Sequence, residues 1–163
     1  MRYHNITKDD MLNGEGLRVV LWLSGCTHRC PGCHNPITWD INGGIVFDDD
    51  AKQEIFTELK KDYVSGITLS GGDPLHPSLL HEVEKLIKEI KEKFPMKTIW
   101  LYTGFDFEDI KNLLFIKNID VIVDGKFIMS LFDKQLHWRG SSNQRVIDVA
   151  KTLKSNKLIH YRQ

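Results

Sequence analysis

Four short apolar runs, each stopping at a turn of glycine, cysteine or aspartate, alternate with longer amphipathic segments, and this alternation confines the chain to a layered α/β fold. The first run, Leu17 to Leu23 (LRVVLWL), is apolar almost throughout, as a strand buried on both faces is. A helix is expected from near Asp50, with Gln53 placed for a capping box and Ala51, Ile55, Leu59 and Tyr63 on one face. The second run is Gly66 to Leu69. A second helix is expected from Pro77, a favoured first helical position, with Leu79, Val83, Leu86, Ile90 and Phe94 on one stripe before Pro95. The third run, Thr98 to Tyr102, leads into a short helix capped by Asp106 with Ile110, Leu113 and Leu114 facing inward, and the fourth is Asp120 to Val123. Strands joined through helices pair in parallel and present reactive groups at their carboxyl ends. The 163 residues bury one core and fall short of the ~250 that a full eight-unit barrel needs. The expected architecture is therefore α/β, a partial barrel of parallel strands in a single domain spanning residues 1–163.

The turns carry the chemistry. The three cysteines of the chain, Cys26, Cys30 and Cys33, share the loop after the first run, in a Cys-x3-Cys-x2-Cys spacing with Gly25, Pro31 and Gly32 among them. Three thiolates with no fourth suggest an iron-sulfur cubane with one iron left open, since closed structural sites take four protein ligands. Two other readings stand beside it. Zinc could be held by the cysteines with His28 or His34, although such sites usually come as two separated ligand pairs. A disulfide fits poorly with an odd number of cysteines in so short a span. Ser70-Gly71-Gly72-Asp73-Pro74, Thr103-Gly104 and Asp124-Gly125 end the other three runs, so all four unusual turns are predicted to meet on one rim. Asp124 follows three apolar residues and is expected either in solvent at the rim, paired with a cation, or capping a turn.

Charge is balanced overall but unevenly spread: residues 126–163 hold 8 basic and 2 acidic side chains, which makes the carboxyl-terminal quarter a solvated basic face or a docking surface. Aromatic residues do not interleave with these charges, so nucleic-acid binding is not indicated. The amino terminus lacks the apolar core of a signal peptide and no run reaches membrane-spanning length, so a soluble, cytoplasmic protein is expected.

The Cys-x3-Cys-x2-Cys loop followed by a Gly-Gly-acid turn resembles the radical S-adenosylmethionine superfamily. Further segments are similar to its glycyl-radical-generating branch, the activating enzymes of anaerobic ribonucleoside-triphosphate reductase. These are His4-Asn5-Ile6, Asn13-Gly14, Ser24 to Asn35, Ser70 to Leu75, Trp100-x-Tyr102-Thr103-Gly104, Val121 to Phe127 and Trp138-Arg139-Gly140-Ser141-Ser142-Asn143-Gln144. The resemblance implies that Cys26, Cys30 and Cys33 ligate a 4Fe-4S cluster and that S-adenosylmethionine binds its open iron. Gly32, Cys33, His34 and Gly72 would then contact S-adenosylmethionine, with Asp73 facing its ammonium; Thr103 and Asp124 match strand ends near the ligand in related enzymes. It also implies reductive cleavage to a 5'-deoxyadenosyl radical, abstraction of hydrogen from a glycine of the reductase large subunit, and an electron donor such as flavodoxin. Two positions depart from the wider superfamily: Gly32 replaces a common aromatic residue and Asp73 a common glutamate, as in the reductase activators themselves. Activators of other glycyl-radical enzymes, such as lyases, often carry extra cysteine-rich clusters. A non-catalytic iron-sulfur carrier would not need the Gly-Gly-Asp turn.

Overall fold

The computed structural model describes residues 1–162. Its strands are β1 (Arg2–Asp10), β2 (Leu17–Leu23), β3 (Ile45–Val46), β4 (Val64–Gly71), β5 (Thr98–Tyr102), β6 (Val121–Asp124) and β7 (Arg145–Asp148). The helices are α1 (Asp49–Leu59), α2 (Leu80–Lys93), α3 (Phe107–Ile110) and α4 (Val149–Ser155). All seven strands form one sheet in the order β3-β1-β2-β4-β5-β6-β7. The centre, β2-β4-β5-β6, is parallel, and β1, β3 and β7 are antiparallel additions.

The α/β class and the parallel centre agree with the sequence, but the sheet is mixed and open rather than a barrel arc of parallel strands alone. A short turn over residues 11–16 joins β1 to β2, and a parallel pairing would need a much longer crossover. The Asp10 carboxylate accepts from the backbone N–H groups of Leu12 and Asn13, and Gly14 and Gly16 adopt positive φ to complete the reversal.

Residues of alternate parity divide the sheet into two faces. Val19, Leu21, Leu23, Ile67, Leu69, Ile99, Leu101, Ile122 and Ile147 join Ile55, Leu59, Val83, Ile87, Ile90, Phe107, Ile110 and Val149 in one core, so all four helices cover this face. The Asp48 side chain accepts from Ala51 N at 3.0 Å and caps α1, with Asp49 and Asp50 complementing the helix dipole. Helix α1 ends at Leu59, which leaves Tyr63 exposed; α2 begins at Leu80, three residues after Pro77. Leu114 is exposed as well, because α3 is a single turn.

Among the described residues, no α-helix covers the opposite face. Trp100, Val121, Val123 and Val146 form its apolar part, covered by Trp138 and Tyr161, with Trp100 and Trp138 in edge contact at 5.0 Å. Arg18 lies wholly buried there, its guanidinium 5.4 Å from the Trp100 ring centre. It donates to Thr68 Oγ1, Thr98 Oγ1 and the carbonyls of Glu15, Ile67 and Thr98, all at 2.7–3.0 Å. Burial pushes its pKa down to about 10. Arg18→Met is expected to cost about 2–4 kcal/mol in urea unfolding, because it strands several buried acceptors at once.

Candidate cluster-binding site

The loop from Ser24 to Asn35 leaves the carboxyl end of β2 and is fastened by its backbone to β1 and to the short helical turn Pro36–Trp39 that follows it. Ser24 N donates to Arg2 O, Gly25 N to Thr38 O and Cys26 N to Trp39 O. Within the loop, Cys30-Pro31-Gly32-Cys33 closes a tight turn through Cys33 N donating to Cys30 O at 3.0 Å, with Gly32 at φ +77. Proline at the second position and glycine at the third suit a type II turn, which needs positive φ where Gly32 stands. The Met129 side chain lies against Gly32, so a Cβ there would meet its sulfur at 2.8 Å.

The three thiols are free and half-buried, and Asn35 N donates to Cys33 Sγ at 3.4 Å. Burial pushes the Cys26 thiol above its usual pKa, so ligation there must displace a proton. Among the described residues, no three His, Cys, Asp or Glu side chains are gathered for a single metal ion. A cubane asks for a different arrangement, with each thiolate on its own iron, and a compact loop of three soft donors with an N–H already aimed at one sulfur fits that group. His34 is exposed, whereas the His28 side chain is buried and its Nε2 faces Asp73.

The other strand ends meet the loop as the sequence predicts. Gly72 N donates to Leu23 O and Asp73 N to Gly25 O, which stitches the turn after β4 onto the start of the cysteine loop. A Cβ on Gly72 would lie 2.3 Å from Gly25 O and 2.7 Å from Thr38 O, so the protein's own backbone requires glycine there. Asp73 is buried and highly engaged. Its oxygens accept from Leu75 N, Gly104 N and Thr103 Oγ1 at 2.8–2.9 Å, and His28 Nε2 lies 2.8 Å from Oδ2. Thr103 therefore stands at the site as a partner of Asp73.

Asp124 is fully buried at the end of β6 and is paired with a cation. Arg145 donates to both of its oxygens, and Phe107 N donates to Oδ2 at 2.7 Å. Arg145 also bridges to Glu108, and the Asp124 hydrogen bond holds the guanidinium above its ordinary pKa. Sequence reasoning missed Arg145, although it directly follows the Trp138 to Gln144 run. That run fastens itself to the rim. Gln144 Oε1 accepts from Gly140 N and Ser141 N, Gln144 Nε2 donates to Gly125 O, and Asn143 Nδ2 donates to Lys126 O.

A cavity of about 660 Å³ opens beside the cysteine loop, between Thr27 and His28, Gly104 to Asp106, and Lys126, Ile128 and Asn143. Its size suits a small-molecule ligand. A larger cleft of about 740 Å³ lies near Leu17, at the start of β2, and carries neither a cysteine nor any of the rim turns.

A family model described as a 4Fe-4S single cluster domain matches residues 12–147, a span that contains the three cysteines and every rim turn. Among curated proteins, the chain is similar to the anaerobic ribonucleoside-triphosphate reductase-activating protein of Enterobacteria phage T4. The two are 47% identical over 146 residues, covering 90% of this chain and 93% of the phage protein. The protein of the same name from Escherichia coli K12 is 42% identical over 150 residues, covering 90% and 97%. That of Haemophilus influenzae Rd is 41% identical over 148 residues, covering 88% and 96%.

Proposed function

Because this chain belongs to the family of anaerobic ribonucleoside-triphosphate reductase-activating proteins, we propose that it activates such a reductase by generating a glycyl radical on its large subunit. The observation that carries this reading is a loop of three free thiols held at the carboxyl rim of the sheet's parallel centre and stitched to a Gly-Gly-Asp turn. Cys26, Cys30 and Cys33 would hold a 4Fe-4S cluster, which would supply the electron for cleavage of S-adenosylmethionine to methionine and a 5'-deoxyadenosyl radical, and that radical would take a hydrogen atom from the reductase glycine.

The chain's own residues hold and shield. The backbone at Gly32, Cys33 and His34 and the Gly72 turn would line the S-adenosylmethionine position, and the half-burial of the three cysteines would limit access of water to the sulfurs. Asp73 would act from behind this surface, since internal donors already occupy both of its oxygens. We read β2, β4, β5 and β6 as the partial barrel of the superfamily, in one domain that works in an anaerobic cytoplasm with a donor such as flavodoxin.

Mixing the reduced, iron-loaded protein with S-adenosylmethionine and the large subunit without oxygen is expected to give a glycyl radical doublet by electron paramagnetic resonance, with methionine and 5'-deoxyadenosine as products. An intact cluster whose spectrum ignores S-adenosylmethionine, and no radical on the reductase, would overturn the proposal.

A further inference from the structure

The middle one of the three residues between the first two cysteines is tied more firmly than the cysteines themselves. His28 and Asp73 are 7% and 1% exposed in their side chains, and their near atoms are 2.8 Å apart. Against a carboxylate the ring nitrogen is the donor. The imidazole packs edge-on against Phe105, ring centres 4.5 Å apart, and rests on Gly104, where a Cβ would come within 2.4 Å of it. The neighbours Thr27 and Arg29 are exposed, and Arg29 adopts φ +47, a left-handed conformation that a non-glycine residue keeps only when its surroundings impose it.

We propose that His28 is a positioning residue: through Asp73 it latches the Cys26 to Cys30 arm to the ends of β4 and β5, and so sets where those two sulfurs are offered to the cluster. Asp73 is the fixed post of this latch, because Thr103 and Gly104 hold it from the end of β5 and Leu75 from within its own turn. The Cys33 end of the loop has a contact of its own, Asn35 N donating to Cys33 Sγ, and is joined to Cys30 by the Pro31-Gly32 turn. The inference rests on the cysteines being cluster ligands, and not on what the cluster activates.

The test compares the wild type with His28→Ala and His28→Gln, whose side-chain amide retains a donor within reach of Asp73. Iodoacetamide labelling of the metal-free full chain, resolved by cysteine, is expected to quicken about tenfold at Cys26 and Cys30 in H28A, the factor that a net ~1.4 kcal/mol hydrogen bond supplies. Cys33 is expected to change less than twofold, and H28Q to return most of the protection. In the iron-loaded proteins, loss of iron to a chelator should quicken in the same order. Circular dichroism melts check that each variant is folded, and H28Q carries the comparison if H28A is not. Equal labelling in all three proteins, or H28Q as fast as H28A, overturns the latch. Labelling is read without metal, so it decides the latch even if the protein takes up no iron and the functional reading fails.

Discussion

Changing any one of Cys26, Cys30 or Cys33 to alanine is expected to abolish reductase activation, by at least about 10³-fold, while leaving the fold intact. The cofactor carries the hard chemistry, and each thiolate would hold one of three ligated irons, so two sulfurs cannot stand in for three. The loop adds little to the apolar core, which lies between the helices and the face of the sheet that they cover. Iron and sulfide per chain should fall sharply in each variant while the far-ultraviolet dichroism and melting temperature stay near wild type. A variant that keeps four irons and full activity would show that the sulfur removed is no ligand.

Arg145→Ala is expected to cost about 3–5 kcal/mol of stability, the largest effect of any change distant from the cysteines. The substitution leaves the Asp124 carboxylate, 1% exposed, with Phe107 N as its remaining direct donor. An unpaired buried charge is far worse than a missing pair, so Asp124→Val combined with Arg145→Ala should lose less than Arg145→Ala alone in urea unfolding. Equal stability of the single variant and the wild type would mean that Asp124 reaches water in solution.

The parallel centre was legible because its strands are two-faced and apolar. Leu17–Leu23 and Thr98–Tyr102 occupy the stretches that the sequence predicts, and β4 and β6 extend or shift by a residue or two. The edges were not. Strand β1 (RYHNITKDD) is largely polar and only partly buried, so it has neither a continuous apolar run nor a clean alternation. Strand β7 offers just Val146 and Ile147 inside a basic stretch that reads as solvated tail. At the site, the sequence marked the four turns that meet, because glycine, cysteine and aspartate are conspicuous at strand ends. It could not show which polar groups satisfy one another. The His28–Asp73 and Asp124–Arg145 pairs join residues 45 and 21 positions apart, a separation that only the folded sheet closes.

Every sulfur proposed for the cluster comes from a single connection on the rim, and none from inside the sheet. Maturation can therefore follow folding: an iron-sulfur carrier would meet a finished scaffold, unlike the metal that a zinc finger needs before it folds at all. The same placement would make replacement of a lost cluster a local event, in which one rim segment is refilled and the polypeptide is reused.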